Sequence, residues 1–120
     1  MTKKQLALLR QKTRLLAGRR SNLERIAMGF VPMLQASLLE RRFRKNSPPA
    51  YYLSIPHQQS TSRHRYVRKA DVEIVRRHTD AWREFSQAMA ELVRINREAE
   101  RLLRRIGEGR CLKIDLGGER

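Results

Sequence analysis

Between Val72 and Ile106 apolar side chains recur in sevens, and this stretch limits what the chain can fold into more than any other. Val75, Trp82, Met89, Asn96 and Leu103 fall in one row (heptad position a), and His78, Phe85, Leu92, Ala99 and Ile106 fall in a second row (d) three residues on. Rows of this kind form the seam of a coiled coil. A third row, Ile74, Ala81, Ala88, Ile95 and Leu102, occupies g and widens the seam. The opposite face carries Arg76, Arg77, Asp80, Arg83, Arg94, Arg97, Arg101, Arg104 and Arg105, so the pattern predicts one amphipathic helix over 70–106 rather than a buried or membrane-spanning one. Neither Pro nor Gly interrupts it, and at a rise of ~1.5 Å per residue it reaches about 55 Å. A helix of that length in a short chain needs a partner along its seam, here taken as Val75, Trp82, Phe85, Met89, Leu92, Asn96 and Leu103. Asn96 has two readings: a buried amide that fixes register, or a residue exposed where the seam widens.

The N-terminal segment offers such a partner. Thr2-Lys3-Lys4-Gln5 has the spacing of a capping box, in which hydroxyl and amide side chains satisfy the free amides of a first helical turn. Leu6, Leu9, Leu16, Leu23, Ile26 and Phe30 then supply an apolar stripe. Gly18 costs about 1 kcal/mol relative to Ala inside a helix, and Ser21-Asn22-Leu23-Glu24 is a second capping box. The expectation is two near-collinear helices, or one kinked helix, ending before Pro32. The first 23 residues are basic and free of acid, as in a mitochondrial presequence, but they are Ser-poor and continue a heptad, which favours mature structure.

Residues 33–45 fit a helix or a strand equally well, and Asn46-Ser47-Pro48-Pro49 forces a corner. Tyr51–Ile55 and Arg63–Val67 are β-type runs around Pro56–Ser62, which predicts an antiparallel hairpin with a polar tip. A lone hairpin is marginal in water, and residues 36–44 are the nearby candidate for a third strand. Gly107 and Gly109 are expected to end the long helix. Leu112, Ile114 and Leu116 alternate as a short strand would.

Charge is what most bears on function. The chain has 120 residues, with 27 Lys+Arg against 12 Asp+Glu and a net charge of +15. The excess is uneven: residues 1–69 carry +14 and residues 70–120 carry +1. The long helix is therefore nearly neutral scaffold, and the preceding segments are the polyanion-attracting part, with nucleic acid the commonest such partner. Arg63, His64, Arg65, Arg68 and Lys69, beside Arg41, Arg42, Arg44 and Lys45, form the candidate phosphate-binding set. Tyr52 and Tyr66 add faces for base stacking or phenols for phosphate hydrogen bonds. Tyr51 reads better as a packing residue.

The order of these pieces resembles a family of small bacterial proteins of unknown function, which tend to be encoded beside transposases. The resemblance rests on Ser37-Leu38-Leu39-Glu40-Arg41-Arg42, Tyr51-Tyr52-Leu53-Ser54, Arg65-Tyr66-Val67-Arg68-Lys69 and Asp71–Arg77, and spans roughly residues 30–105. It implies a strand over Ser37–Arg44 and an association with mobile DNA, through a transposase or another mobile-element protein. Many members are cysteine-rich before the tyrosines, as a metal knuckle would be. Here that place is Phe43–Ala50, without cysteine, so no zinc role carries over.

Catalytic signatures are missing. His57, His64, His78 and Cys111 lack zinc-ligand spacing, and there is no phosphate loop, no Ser/His/Asp set and no HExxH. No metal, cofactor or catalytic residue is expected. The single cysteine fits a reducing compartment, which points to the cytoplasm, and no apolar run approaches a membrane span. The expected fold is α+β: two long antiparallel helices in a coiled-coil-like hairpin with a small antiparallel β-meander between them. Residues 1–106 form a single domain, divided into a helical arm (1–31), the meander (36–68) and the long helix (70–106), before a tail (107–120). A homodimer through the long helix is the alternative cover for its seam. The expected function is a non-enzymatic accessory protein that binds DNA or RNA. The second reading is an interaction scaffold whose basic face docks on an acidic protein.

Overall fold

The computed structural model describes residues 1–56 and 63–114. In chain order it contains α1 (Lys3–Ala27), β1 (Ser37–Arg41), β2 (Ala50–Ile55), β3 (Arg63–Val67), a 3-10 turn (Lys69–Asp71) and α2 (Val72–Arg110). The protein is thus α+β, with one three-stranded antiparallel sheet between two helices in sequence. Most of the hairpin tip, with His57, and the end of the tail, with Leu116, lie outside the described residues. Residues 111–114 are not a strand, and Leu112 and Ile114 are 90% and 80% exposed. No described helix is long and apolar enough to cross a membrane.

The chain forms two compact units: Met1–Arg25 with the chain from Met89 onward, and Ile26–Ala88. In the first unit α1 opens on the capping box that its sequence specifies. The Thr2 amide donates to Gln5 Oε1 at 2.8 Å, and the Gln5 amide donates to Thr2 Oγ1 at 3.1 Å. The helix then passes Gly18 and runs unbroken to Ala27, shorter than the expected arm to residue 31. Ser21–Glu24 does not restart it, because Glu24 accepts from Arg20 Nε one turn back at 2.9 Å. Arg19 meets Glu91 of α2 at 2.6 Å. Leu9, Leu102 and Ile106 form the core with Leu6 and Leu16 against it. In these contacts residue numbers rise along α1 as they fall along α2.

Only part of the predicted seam is used here. Ile95, Leu102 and Ile106 are buried, with Leu92 and Ala99 half-buried one turn before Ile95 and Leu102. These belong to rows g and d, whereas row a is left outside: Asn96 is exposed, and Met89 and Leu103 are 42% and 55% exposed. A single neighbouring helix covers a stripe only ~100° wide, so three rows cannot all be covered by α1. Asn96 accordingly does not pair within the chain's own seam. Helix α2 also continues through Gly107 and Gly109 to Arg110. At Gly109 a Cβ would stand 2.7 Å from Met1 Sδ and 3.3 Å from Leu6 Cδ2, so this glycine serves close helix approach rather than a cap.

In the second unit residues 37–41, ambiguous from sequence, form the third strand. Ser37–Arg41 pairs with Ser54–Ala50, and Tyr51–Ile55 pairs with Val67–Arg63. Leu38 lines a depression with Thr79 and Trp82, so one sheet face packs on α2. That face includes Tyr51, whose ring lies 5.9 Å from the Arg76 guanidinium carbon. Val67, Val72 and Thr79 are buried, and the Thr79 hydroxyl donates to the Arg76 carbonyl at 3.1 Å. Trp82 and Phe85 adjoin, with centroids 5.8 Å apart. After α1, the Leu34 amide donates to the His78 carbonyl at 3.0 Å, fixing the incoming strand segment on the helix.

Candidate nucleic-acid interface

Strand alternation divides the candidate residues between two faces. Residues opposed across an antiparallel pair share a face, so the register puts Leu39, Tyr52 and Tyr66 in one transverse row and Ser37, Ser54 and His64 in the next. Arg41, opposite Ala50, belongs to the same face. This is the face turned away from Leu38, Tyr51 and Val67, and hence from α2. Arg63 and Arg65, opposite Ile55 and Leu53, lie on the other face, although both are exposed because β3 is an edge strand.

Four predicted residues meet on the outer face. The Tyr52 and Tyr66 rings stand edge to face at 5.7 Å. The Arg41 guanidinium lies 5.4 Å from the centre of the Tyr52 ring, and its Nη2 is 3.3 Å from His64 Nδ1. A guanidinium only donates, so Nδ1 of His64 is the acceptor of this bond. Tyr52 is half-buried, whereas Arg41 and His64 are exposed and Tyr66 is 61% exposed. Cation–π contact at this range contributes about 0.5–1 kcal/mol at an exposed site and limits the freedom of Arg41.

The basic corner follows directly from β1. The Ser47 hydroxyl receives the Arg44 amide at 3.0 Å and donates to the Arg44 carbonyl at 2.9 Å, closing a turn that presents Arg44 and Lys45 to solvent. Arg42 is held back by Glu40, 3.6 Å away, and by the Ser47 carbonyl at 3.3 Å. Arg68 pairs with Asp71 at 3.1 Å. Among the described residues no carboxylate lies within ion-pair distance of Arg41, Arg44, Lys45, Arg63, Arg65 or Lys69. On α2, by contrast, Arg83, Arg94, Arg101 and Arg104 are paired with Asp80, Glu91, Glu98 and Glu100. The hydrogen bond and charge of Glu98 raise the Arg101 pKa above its ordinary value.

The arrangement can hold a polyanion by charge and a flat base by its rings; it offers no nucleophile beside a base and, among the described residues, no cluster of metal ligands. Sequence reasoning overlooked Leu39 and Ser54, which complete the outer face beside the tyrosines. Their alternation carries that signal once residues 37–41 are taken as a strand. Phe30, expected in the apolar stripe of the first helix, instead lies beyond the end of α1 and is 100% exposed. No family model, curated protein or solved structure matches this chain.

Proposed function

We propose that this protein is a non-catalytic accessory protein that binds nucleic acid through the outer face of its sheet. The observation that carries this reading is the convergence of Arg41, Tyr52, His64 and Tyr66 on one solvent-facing surface. Arg44 and Lys45 add uncompensated charge at its edge. Aromatic rings stack on any base, and cations beside them follow the phosphates, so single-stranded DNA or RNA fits this surface better than a duplex groove does. In this reading the protein works in the cytoplasm, in a mobile-element or ribonucleoprotein assembly, with its two helices as a coiled-coil-like hairpin that carries the sheet.

Fluorescence anisotropy against salt tests the proposal. Replacing Arg41, Arg44 and Lys45 with Gln is compared with replacing Arg97, Arg101 and Arg104, which removes the same charge from α2. Each lost phosphate contact lowers the log–log salt slope by about 0.7 to 0.9. A site around the sheet makes the first loss larger; equal losses identify mere attraction to a +15 chain.

The second reading, a scaffold that docks on an acidic partner protein, is favoured by the segment after α1. There Met28, Phe30 and Met33 are 68%, 100% and 43% exposed. Affinity capture from cells with and without nuclease separates the readings, since a scaffold keeps one protein partner after digestion.

A further inference from the structure

Row a of α2 is spaced for a partner that the chain itself does not provide. Met89, Asn96 and Leu103 stand seven residues apart on one side of the helix, with Val93 beside them 46% exposed. The sequence is symmetric about its polar residue: one apolar side chain lies seven residues before Asn96 and one seven after it. The two arginines of the groove on this flank are each paired within the chain. Arg20, Asn96, Ala99, Glu100, Leu103 and Arg104 line a shallow groove, in which Arg20 is bound to Glu24 at 2.9 Å and Arg104 to Glu100 at 2.8 Å. The opposite groove, lined by Lys12, Leu15, Leu16, Arg19, Glu98 and Leu102, keeps a lysine without an ion-pair partner among the described residues.

We infer that a second copy of this chain covers the Met89–Asn96–Leu103 row, with the two α2 helices antiparallel about a two-fold axis at Asn96. The two-fold sets Asn96 against the partner copy's Asn96 and Met89 against the partner copy's Leu103, a self-complementary contact of the kind that closes dimers. Paired amides satisfy each other and reject shifted registers, which is the usual work of one asparagine in an apolar seam. A groove whose arginines are already paired is also where two strongly basic chains meet at lower cost than on a face of unpaired cations, and the remaining repulsion is screened by salt. This inference does not depend on the sheet binding nucleic acid, and its salt dependence has the opposite sign: association holds or tightens as salt rises.

Sedimentation and position-specific cross-linking test it. The full chain is expected to sediment at twice its mass of 14.2 kDa, and Leu103→Asp to weaken association by about thirty-fold or more, as for a central interface residue. Leu103 is exposed in the single chain, so circular dichroism of that variant remains helical. In a Cys111→Ser background, Asn96→Cys is expected to form a disulfide-linked dimer on oxidation. Facing helices at about 8–10 Å between axes bring opposed Cα atoms within disulfide range. Met89→Cys and Leu103→Cys should cross-link only when the two variants are mixed. A chain monomeric at hundreds of micromolar overturns the inference. So does self-linking of all three cysteine variants, which marks a parallel pair, or dissociation by Leu15→Asp while Leu103→Asp remains dimeric.

Discussion

The Tyr52 and Tyr66 rings meet edge to face across neighbouring strands, 5.7 Å between centroids and 72° between planes. One ring is therefore half-buried and braces the other, which is 61% exposed. Tyr66→Ala is expected to weaken single-strand binding by about 1–3 kcal/mol, the usual contribution of one stacked base. Tyr66→Phe keeps the ring and is expected to bind nearly as tightly. Titration of a fluorescent oligonucleotide distinguishes stacking from hydroxyl chemistry, since a phenol that bonds phosphate makes both variants weak.

The two sheet faces should also separate by charge. Arg41→Gln with Arg44→Gln removes cations from the outer face and its corner, whereas Arg63→Gln with Arg65→Gln removes two from the helix-packed face. Both pairs lower net charge equally. The first is expected to lower the salt slope by about 1.4–1.8, two phosphate contacts, and the second by less. A larger effect from the second pair places the ligand along the β3 edge instead.

Legibility of the fold followed the range of the interactions. The capping box at Thr2 and Gln5 depends on residues three apart and was readable outright. The strand at Ser37–Arg41 was not, because its period suited a helix too and only pairing with Tyr52 and Leu53 decides it. Glycine misled three times: Gly18, Gly107 and Gly109 sit inside helices, since packing along Leu9, Leu102 and Ile106 outweighs a local propensity cost of about 1 kcal/mol each. The candidate interface was half legible. Its residue types stood in the sequence, but the strand register separates Arg63 and Arg65 from His64 and Tyr66.

Gly18 offers a stabilising change. A Cβ there meets nothing within 4 Å, and the position is interior to α1. Gly18→Ala is expected to stabilise the protein by about 0.5–1 kcal/mol, mostly by restricting the unfolded chain. Gly109→Ala should gain less or lose stability, because Met1 and Leu6 must move aside. Urea midpoints of the two variants rank them; equal gains remove close packing as the reason for Gly109.

Leu102 and Leu103 test which heptad row is the core. Leu102 is 4% exposed and packs with Leu9 and Ile106, while its neighbour is 55% exposed. Removing a buried leucine side chain costs the transfer free energy of its carbons and leaves a cavity, together about 2–5 kcal/mol. Leu102→Ala should therefore lower the unfolding free energy by an amount near the low end of that range, since a two-helix unit can partly collapse onto the gap. Leu103→Ala removes a side chain already in water and should change the stability of the isolated chain by less than about 0.5 kcal/mol. The comparison is made at micromolar concentration and again at the highest attainable one. At low concentration the two variants must differ widely, or the core row is misassigned. At high concentration a growing penalty for Leu103→Ala reports a second copy on row a, because association stabilises the folded state by mass action and the truncated chain loses that gain.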